Sequence, residues 1–143
     1  MSTIIRSLNV NDVSTIIDLE MKYLGETIGS DMLISESTNP SIKFLVLEKN
    51  HVVIGYIGCY YFEGDCEVLN FVIDECFQRM GYGQMLFNEL IKQTNASHLT
   101  LEVRYNNIKG QNFYLKNGFQ AISVRKNYYS NGDDAIVMEK IVK

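Results

Sequence analysis

The sequence predicts one α+β domain: a mixed, mostly antiparallel twisted sheet flanked by helices. Three observations carry that expectation. Lys43 to Asp74 reads as three consecutive strands separated by turn signals. The turn Gln78-Arg79-Met80-Gly81-Tyr82-Gly83 follows the third strand and opens an amphipathic helix. Beyond it, Leu99, Leu101, Val103 and Tyr105 alternate with Thr100, Glu102 and Arg104, a period of two that marks a half-buried strand.

The elements follow in order. Ile4, Ile5 and Leu8 make a short strand stopped by Asn9 and Asn11. Asn11 suits a helix N-cap, and Val13, Ile16, Ile17 and Leu24 then recur near helical spacing. Gly25 to Ile42, with two glycines, several serines and Pro40, has room for a short second helix around Met32-Leu33. Phe44-Leu45-Val46-Leu47 runs into a tight turn at Asn50-His51, and Val52 to Phe62 returns as a long strand. Gly64-Asp65 is the next turn, and Cys66 to Asp74 completes the meander. After the glycine turn, Leu86, Phe87, Leu90 and Ile91 share one helix face that ends near Asn95. Asn107 starts another helix, which Gly118 stops as a left-handed C-cap. Phe119 to Lys126 and Asp134 to Ile141 are closing strands joined through Ser130-Asn131-Gly132. With no internal repeat and no linker, residues 1–143 form one domain, within the usual range of roughly 100–200 residues.

Bulk properties remove several function classes. The net charge is −4 and the pI is near 5.1, unlike the clustered basic face of a nucleic-acid binder. Cys59, Cys66 and Cys76, and the single His51 and His98, match neither a redox pair nor a zinc-ligand spacing, so the thiols are expected reduced and at least half-buried, with no metal. Met1 to Ile5 lacks a basic region followed by a long apolar run, so no signal peptide is expected. No apolar run approaches the roughly 20 residues that span a bilayer. Cytoplasm, with no membrane partner, is the expected location; monomer and homodimer both stay open.

Chemistry concentrates at the glycine turn. Glycine lets the backbone approach a ligand, and free N–H groups at a helix start, with the positive end of its dipole, hold a pyrophosphate without many cationic side chains. Two glycines can equally ease a strand-to-helix turn. It is not a P-loop, since no Gly-Lys-Ser/Thr ends it; the dinucleotide fingerprint fails for want of a third glycine.

With its neighbours, the turn becomes specific. Gln-x-x-Gly-x-Gly after Val68-Leu69-Asn70-Phe71-Val72-Ile73-Asp74 resembles the acetyl-CoA signature of the GNAT N-acetyltransferases. Leu101-Glu102-Val103-Arg104, Asn107 and Tyr114-Leu115-Lys116-Asn117-Gly118-Phe119 resemble the second half of that pattern. Arg125-Lys126-Asn127-Tyr128-Tyr129 with Asp134-Ala135-Ile136-Val137-Met138 is similar to the bacterial ribosomal-protein-alanine acetyltransferases of the RimI type.

The resemblance implies acetyl-CoA as cosubstrate, without metal, and an amine acceptor such as the N-terminus of a ribosomal protein. Acceptors of other kinds are a lysine side chain, a polyamine or another small amine. A non-catalytic CoA-binding regulatory module is the reading from a different class. The resemblance further implies that Phe71, Val72 and Ile73 pair with the pantetheine arm and help polarise the thioester carbonyl. It assigns Gln78, Arg79, Met80, Gly81, Tyr82, Gly83 and Gln84 to the cofactor loop and Asn107 to a cofactor contact. Glu102 falls at the general base and Tyr114 at the general acid.

Chemistry supplies reasons for that pair. An ammonium has no lone pair with which to attack a thioester. An α-amine has a pKa of about 7.7–8, whereas lysine, at about 10.4, costs roughly 3 kcal/mol more to deprotonate. A carboxylate acting directly or through one water suits the α-amine; a solvated carboxylate beside Arg104 is the plainer reading of Glu102. A phenol of pKa about 10 is a poor outright donor to a thiolate near 8.5, so Tyr114 is better placed to stabilise the departing sulfur by a hydrogen bond. Tyr114 beside Phe113 would alternatively be core packing, and glycine at Gly110 would keep the helix start close to a cofactor. Arg125, Lys126, Tyr128 and Tyr129 fit the substrate side or simple rim packing; Lys109 and Lys116 fit a solvated helix face more readily than a phosphate contact. The RimI type carries a Pro-Trp-Ser-like element where this chain has Gly25 to Ile42, without tryptophan.

Overall fold

The structure, a computed structural model, describes residues 3–35 and 38–142. The expectations touching Met1 and Ser2, and the part of the Gly25–Ile42 stretch at 36 and 37, lie outside the described residues.

The chain runs β1 (Thr3–Ser7), α1 (Val13–Leu24), α2 (Ser30–Ser35), β2 (Ile42–Lys49), β3 (Val52–Phe62), β4 (Asp65–Ile73), α3 (Tyr82–Thr94), β5 (His98–Arg104), α4 (Ile108–Lys116), β6 (Gln120–Arg125) and β7 (Ala135–Ile141). The strands form one sheet in the order β1-β2-β3-β4-β5-β7-β6. Among the described residues only β4 and β5 pair in parallel, as the mixed, mostly antiparallel expectation requires.

Each face of the sheet buries its own core. β2 shows why: Leu45 and Leu47 face one side while Phe44 and Val46 face the other, and all are buried. On the first side they meet Leu86 and Leu90 of α3, Leu99, Leu101 and Val103 of β5, and Tyr114 of α4. On the second, Phe44 and Val46 join Val13, Ile16 and Leu19 of α1, Leu33 of α2, Tyr56 and Val72. Truncating a fully buried side chain such as these typically costs 2–5 kcal/mol.

Local chemistry sets the corners, with three corrections. The helical start is capped by Asn9 rather than Asn11. Asn9 is extended, accepts from the Asn11 N–H, and shares a capping box with Asp12 around a 3-10 turn, Val10–Asp12, that leads into α1. The second hairpin turn is Glu63-Gly64, one residue earlier than expected. Like Asn50-His51, it has two consecutive positive φ values, the geometry of a two-residue hairpin matched to strand twist. Cys76 is exposed, while Cys59 and Cys66 are buried, because it sits in the surface turn Glu75–Phe77.

The β4–β5 pairing sets up the site. It spans only Asp65 to Glu67 against His98 to Thr100, after which the two strands no longer pair. A bulge at Leu69, between the pairs Cys59–Val68 and Gly58–Asn70, breaks the alternation of β4 just beyond that point. The closed end is pinned by His98, whose Nδ1 lies 3.1 Å from Asp65 on β4 and whose Nε2 lies 2.8 Å from Glu139 on β7. The Glu139 hydrogen bond, then that to Asp65, raises the imidazole above its ordinary value against the opposing effect of burial. A raised folded-state value means this stabilisation is complete below about pH 6.5 and is lost as pH rises through the raised value. The urea midpoint should therefore decline over that interval, and His98→Gln should flatten the decline. An identical slope in the variant would remove His98 as its cause.

Candidate active site

Where β4 and β5 part, a cavity of about 260 Å³ lies between them. Leu69, Asn70 and Phe71 line it from β4, Leu101 to Arg104 from β5, Asn107 and Tyr114 from α4, and Tyr23, Leu24 and Glu26 from the end of α1. Glu102 and Tyr114 both line this cavity, although they stand on different elements.

Their surroundings differ. Tyr114 is almost fully buried, with ring centroids 5.5–6.2 Å from Phe71, Phe87, Phe113 and Phe119. Burial, with a smaller push from Tyr129, drives its phenol well above the ordinary value. The hydroxyl is a neutral donor at any working pH. Glu102 is half-buried, and its Oε2 lies 3.4 Å from Arg125 Nε rather than beside Arg104. Burial raises its carboxyl, Arg125 opposes this and Glu67 adds to it. A carboxylate held above its usual range is a better proton acceptor.

Arg104 is occupied elsewhere. Its guanidinium lies 3.9 Å above the Tyr129 ring, donates to Glu26 at 2.6 Å, and reaches Asn131 and Asp133 at 3.0 Å. It ties the segment after α1 to the loop between β6 and β7 across the cavity mouth. Tyr128 stands edge-on to Tyr129 at 5.1 Å.

The residues expected on the cofactor side lie along the end of β4, in the turn before α3 and at the start of α4. Phe71, Val72 and Ile73 pair with Ile57, Tyr56 and Gly55 of β3, and among the described residues no strand pairs with their opposite edge. Such an edge can take an extended ligand as an added strand. Gln78 turns its amide back to donate to the Ile73 carbonyl at 3.0 Å, bracing the strand end. Arg79 has φ +65° and Gly81 φ +86°, which aim the loop backbone into the start of α3. Met80 is exposed, as is Gln84. Tyr82 accepts from Lys49 Nζ at 2.8 Å, a residue with no motif signal. Gly83 has a packing reason of its own: a Cβ there would lie 2.9–3.0 Å from the Phe113 and Phe71 rings. Asn107 caps α4, accepting from the Gly110 N–H at 2.9 Å. A Cβ on Gly110 would strike that same Asn107 side chain at 2.7 Å, so this glycine makes room for the cap rather than directly for a cofactor.

Among the described residues, no group of His, Cys, Asp and Glu is placed to hold a metal ion, and no helix is long and apolar enough to cross a membrane.

The model of the Acetyltransferase (GNAT) family matches residues 13–119. A Bacillus subtilis protein, provisionally named a ribosomal protein bS18-alanine N-acetyltransferase, is 32% identical over 139 residues, covering 94% of this chain and 92% of that one. The ribosomal protein bS18-alanine N-acetyltransferase of Haemophilus ducreyi is 31% identical over 140 residues, covering 88% of this chain and 97% of its own. The crystal structure of Ard1 from Thermoplasma volcanium superposes with a TM-score of 0.88 at 28% identity, over 100% of this chain and 99% of that one.

Proposed function

The chain belongs to the GNAT acetyltransferase family, and on that premise we propose that it moves the acetyl group of acetyl-CoA to the α-amine of a protein N-terminus. The observation that carries the proposal is the cavity between the parted strands, which Glu102 and Tyr114 line together with Phe71, the first residue of the open β4 edge. The named activity of the Bacillus and Haemophilus relatives supports a ribosomal protein as the first acceptor to test.

In this reading, acetyl-CoA lies along Phe71 to Ile73 with its pyrophosphate on the loop from Gln78 to Gln84. Backbone N–H groups of β4 polarise the thioester carbonyl. The acceptor enters between Glu26, Tyr129 and Arg104. Glu102 removes its proton, directly or through one water, and the freed amine attacks the carbonyl carbon. As the carbon–sulfur bond breaks, the Tyr114 hydroxyl stabilises the departing sulfur. Asn107 bears on the cofactor by fixing the first turn of α4.

The test is an intact-mass screen of peptides differing in their first residue, with polyamines and N-terminally blocked lysine peptides alongside. A gain of one acetyl group on free-N-terminus peptides alone supports the reading. Preferential labelling of blocked lysine peptides or polyamines sinks the α-amine assignment. Acetyl-CoA binding with no thiol release from any amine points to a regulatory module.

A further inference from the structure

Glu20 is a buried charge for which the mechanism above has no use. It projects from α1 and has no exposed surface. One of its carboxylate oxygens accepts from the Thr27 hydroxyl and the other from the Asn70 side-chain amide; the backbone N–H of Ile28 also bonds it. Every one of these partners is neutral. A carboxylate taken out of water without a cation is retained only where its surroundings repay the desolvation, and here one partner is a wall of the active-site cavity.

We propose that Asn70, oriented by Glu20, is the hydrogen-bond acceptor that receives the incoming amine opposite Glu102; the proposal rests on the reading of the cavity as an acetyl-transfer site. Burial raises the Glu20 carboxyl and the bonds from Thr27, Asn70 and Ile28 oppose that shift; its two oxygens receive the Thr27 hydroxyl and the Asn70 amide, the arrangement of a carboxylate, which only accepts hydrogen bonds. It therefore claims the NH2 end of the Asn70 amide and leaves Oδ1 as the amide's remaining acceptor.

The strand register brings that amide to the level of Glu102. The last β4–β5 pair is Glu67 with Thr100. Two residues further along β5 is Glu102, and two further along β4 is Leu69, where the bulge adds a residue. Asn70 is thus the next side chain on the opposite lip. It also shares the sheet face. Leu101 and Val103 point into the α3 core, so Glu102 points the other way, towards the side where Glu20 of α1 holds Asn70.

The chemistry calls for such a group. When Glu102 takes one proton from an ammonium, the amine keeps two N–H bonds, and an acceptor for one of them aims the lone pair at the thioester carbon. Asn70 gains and loses no proton. A second carboxylate in direct contact would hold the amine as ammonium by raising its pKa. An amide with the carboxylate behind it orients the amine without that penalty. Glu20 is a positioning residue, and Thr27 and Ile28 couple it to the segment carrying Glu26 at the cavity mouth.

The test uses the full chain with acetyl-CoA and the best peptide from the screen. Asn70→Ala should raise KM for the peptide about tenfold, the worth of one hydrogen bond to a charged group, and leave KM for acetyl-CoA unchanged. Glu20→Gln keeps the shape and lets the Asn70 amide turn over, presenting NH2 to the amine, so it should give the same split should Asn70→Ala fold poorly. The double variant should be no worse than Asn70→Ala. An unchanged peptide KM in a variant that binds acetyl-CoA normally would overturn the proposal. Equal rises in both KM values with a lowered melting temperature would also overturn it, marking a structural tie only. Wild-type turnover with the peptide tests the acetyl-transfer reading separately, because only the ratio of variant to wild type bears on Asn70.

Discussion

Tyr114→Phe should lower kcat by roughly a hundredfold, about 2.7 kcal/mol of transition-state stabilisation, while KM for acetyl-CoA stays within about twofold. The side chain is clamped by four phenylalanine rings, and phenylalanine keeps all of those contacts. Stability should change by no more than about 1 kcal/mol, the usual net worth of one hydrogen bond. What disappears is a hydroxyl whose phenol is held neutral by burial, and a neutral donor matters most when charge develops on the leaving sulfur. The loss should therefore fall on turnover rather than on binding. Single-turnover measurements with saturating acetyl-CoA separate the two, and a kcat equal to wild type would remove the phenol from the chemistry.

The placement of Tyr114 was legible because it rests on local signals. Asn107 and Gly118 bracket a short helix in the sequence as they do in the fold, and the period-two run from Leu99 to Tyr105 put Glu102 on the face opposite the core. Hairpins were legible for the same reason, to within one residue at Glu63-Gly64. The rest depends on distant pairing. That β7 inserts between β5 and β6 has no local signature. Nor has the bulge at Leu69, because Val68 to Ile73 is apolar on both sides of Asn70 and shows no alternation to interrupt. Glu20 sits between Leu19 and Met21, and no motif in the sequence singles it out. Only the fold sets Asn70, fifty residues on, against it. Arg104 likewise looked like a neighbour for Glu102, yet its ion-pair partners are Glu26, seventy-eight residues away, and Asp133. The glycines taught a subtler point. Gly83 and Gly110 suit a cofactor site, but steric contacts with Phe113, Phe71 and Asn107 already exclude a side chain there.

Glu102→Gln should reduce kcat/KM near neutral pH by roughly 10²–10⁴-fold, the usual worth of a positioned general base, and the deficit should depend on pH in a predictable sense. In the wild type the base must be ionised. Burial and Glu67 hold the carboxyl above its ordinary value against the pull of Arg125, so activity should fall as pH is lowered through a value above the usual carboxylate range. The variant has no such group, and that acid limb should vanish. An acceptor α-amine loses its own proton near pH 7.7–8, and above that pH a base has progressively less to remove. The ratio of wild-type to variant rates should therefore shrink as pH rises through the amine pKa. With a lysine acceptor, near 10.4, it would stay large across the same range. Parallel profiles for the two proteins, offset by a constant factor at every pH, would mean that Glu102 orients the acceptor without taking its proton.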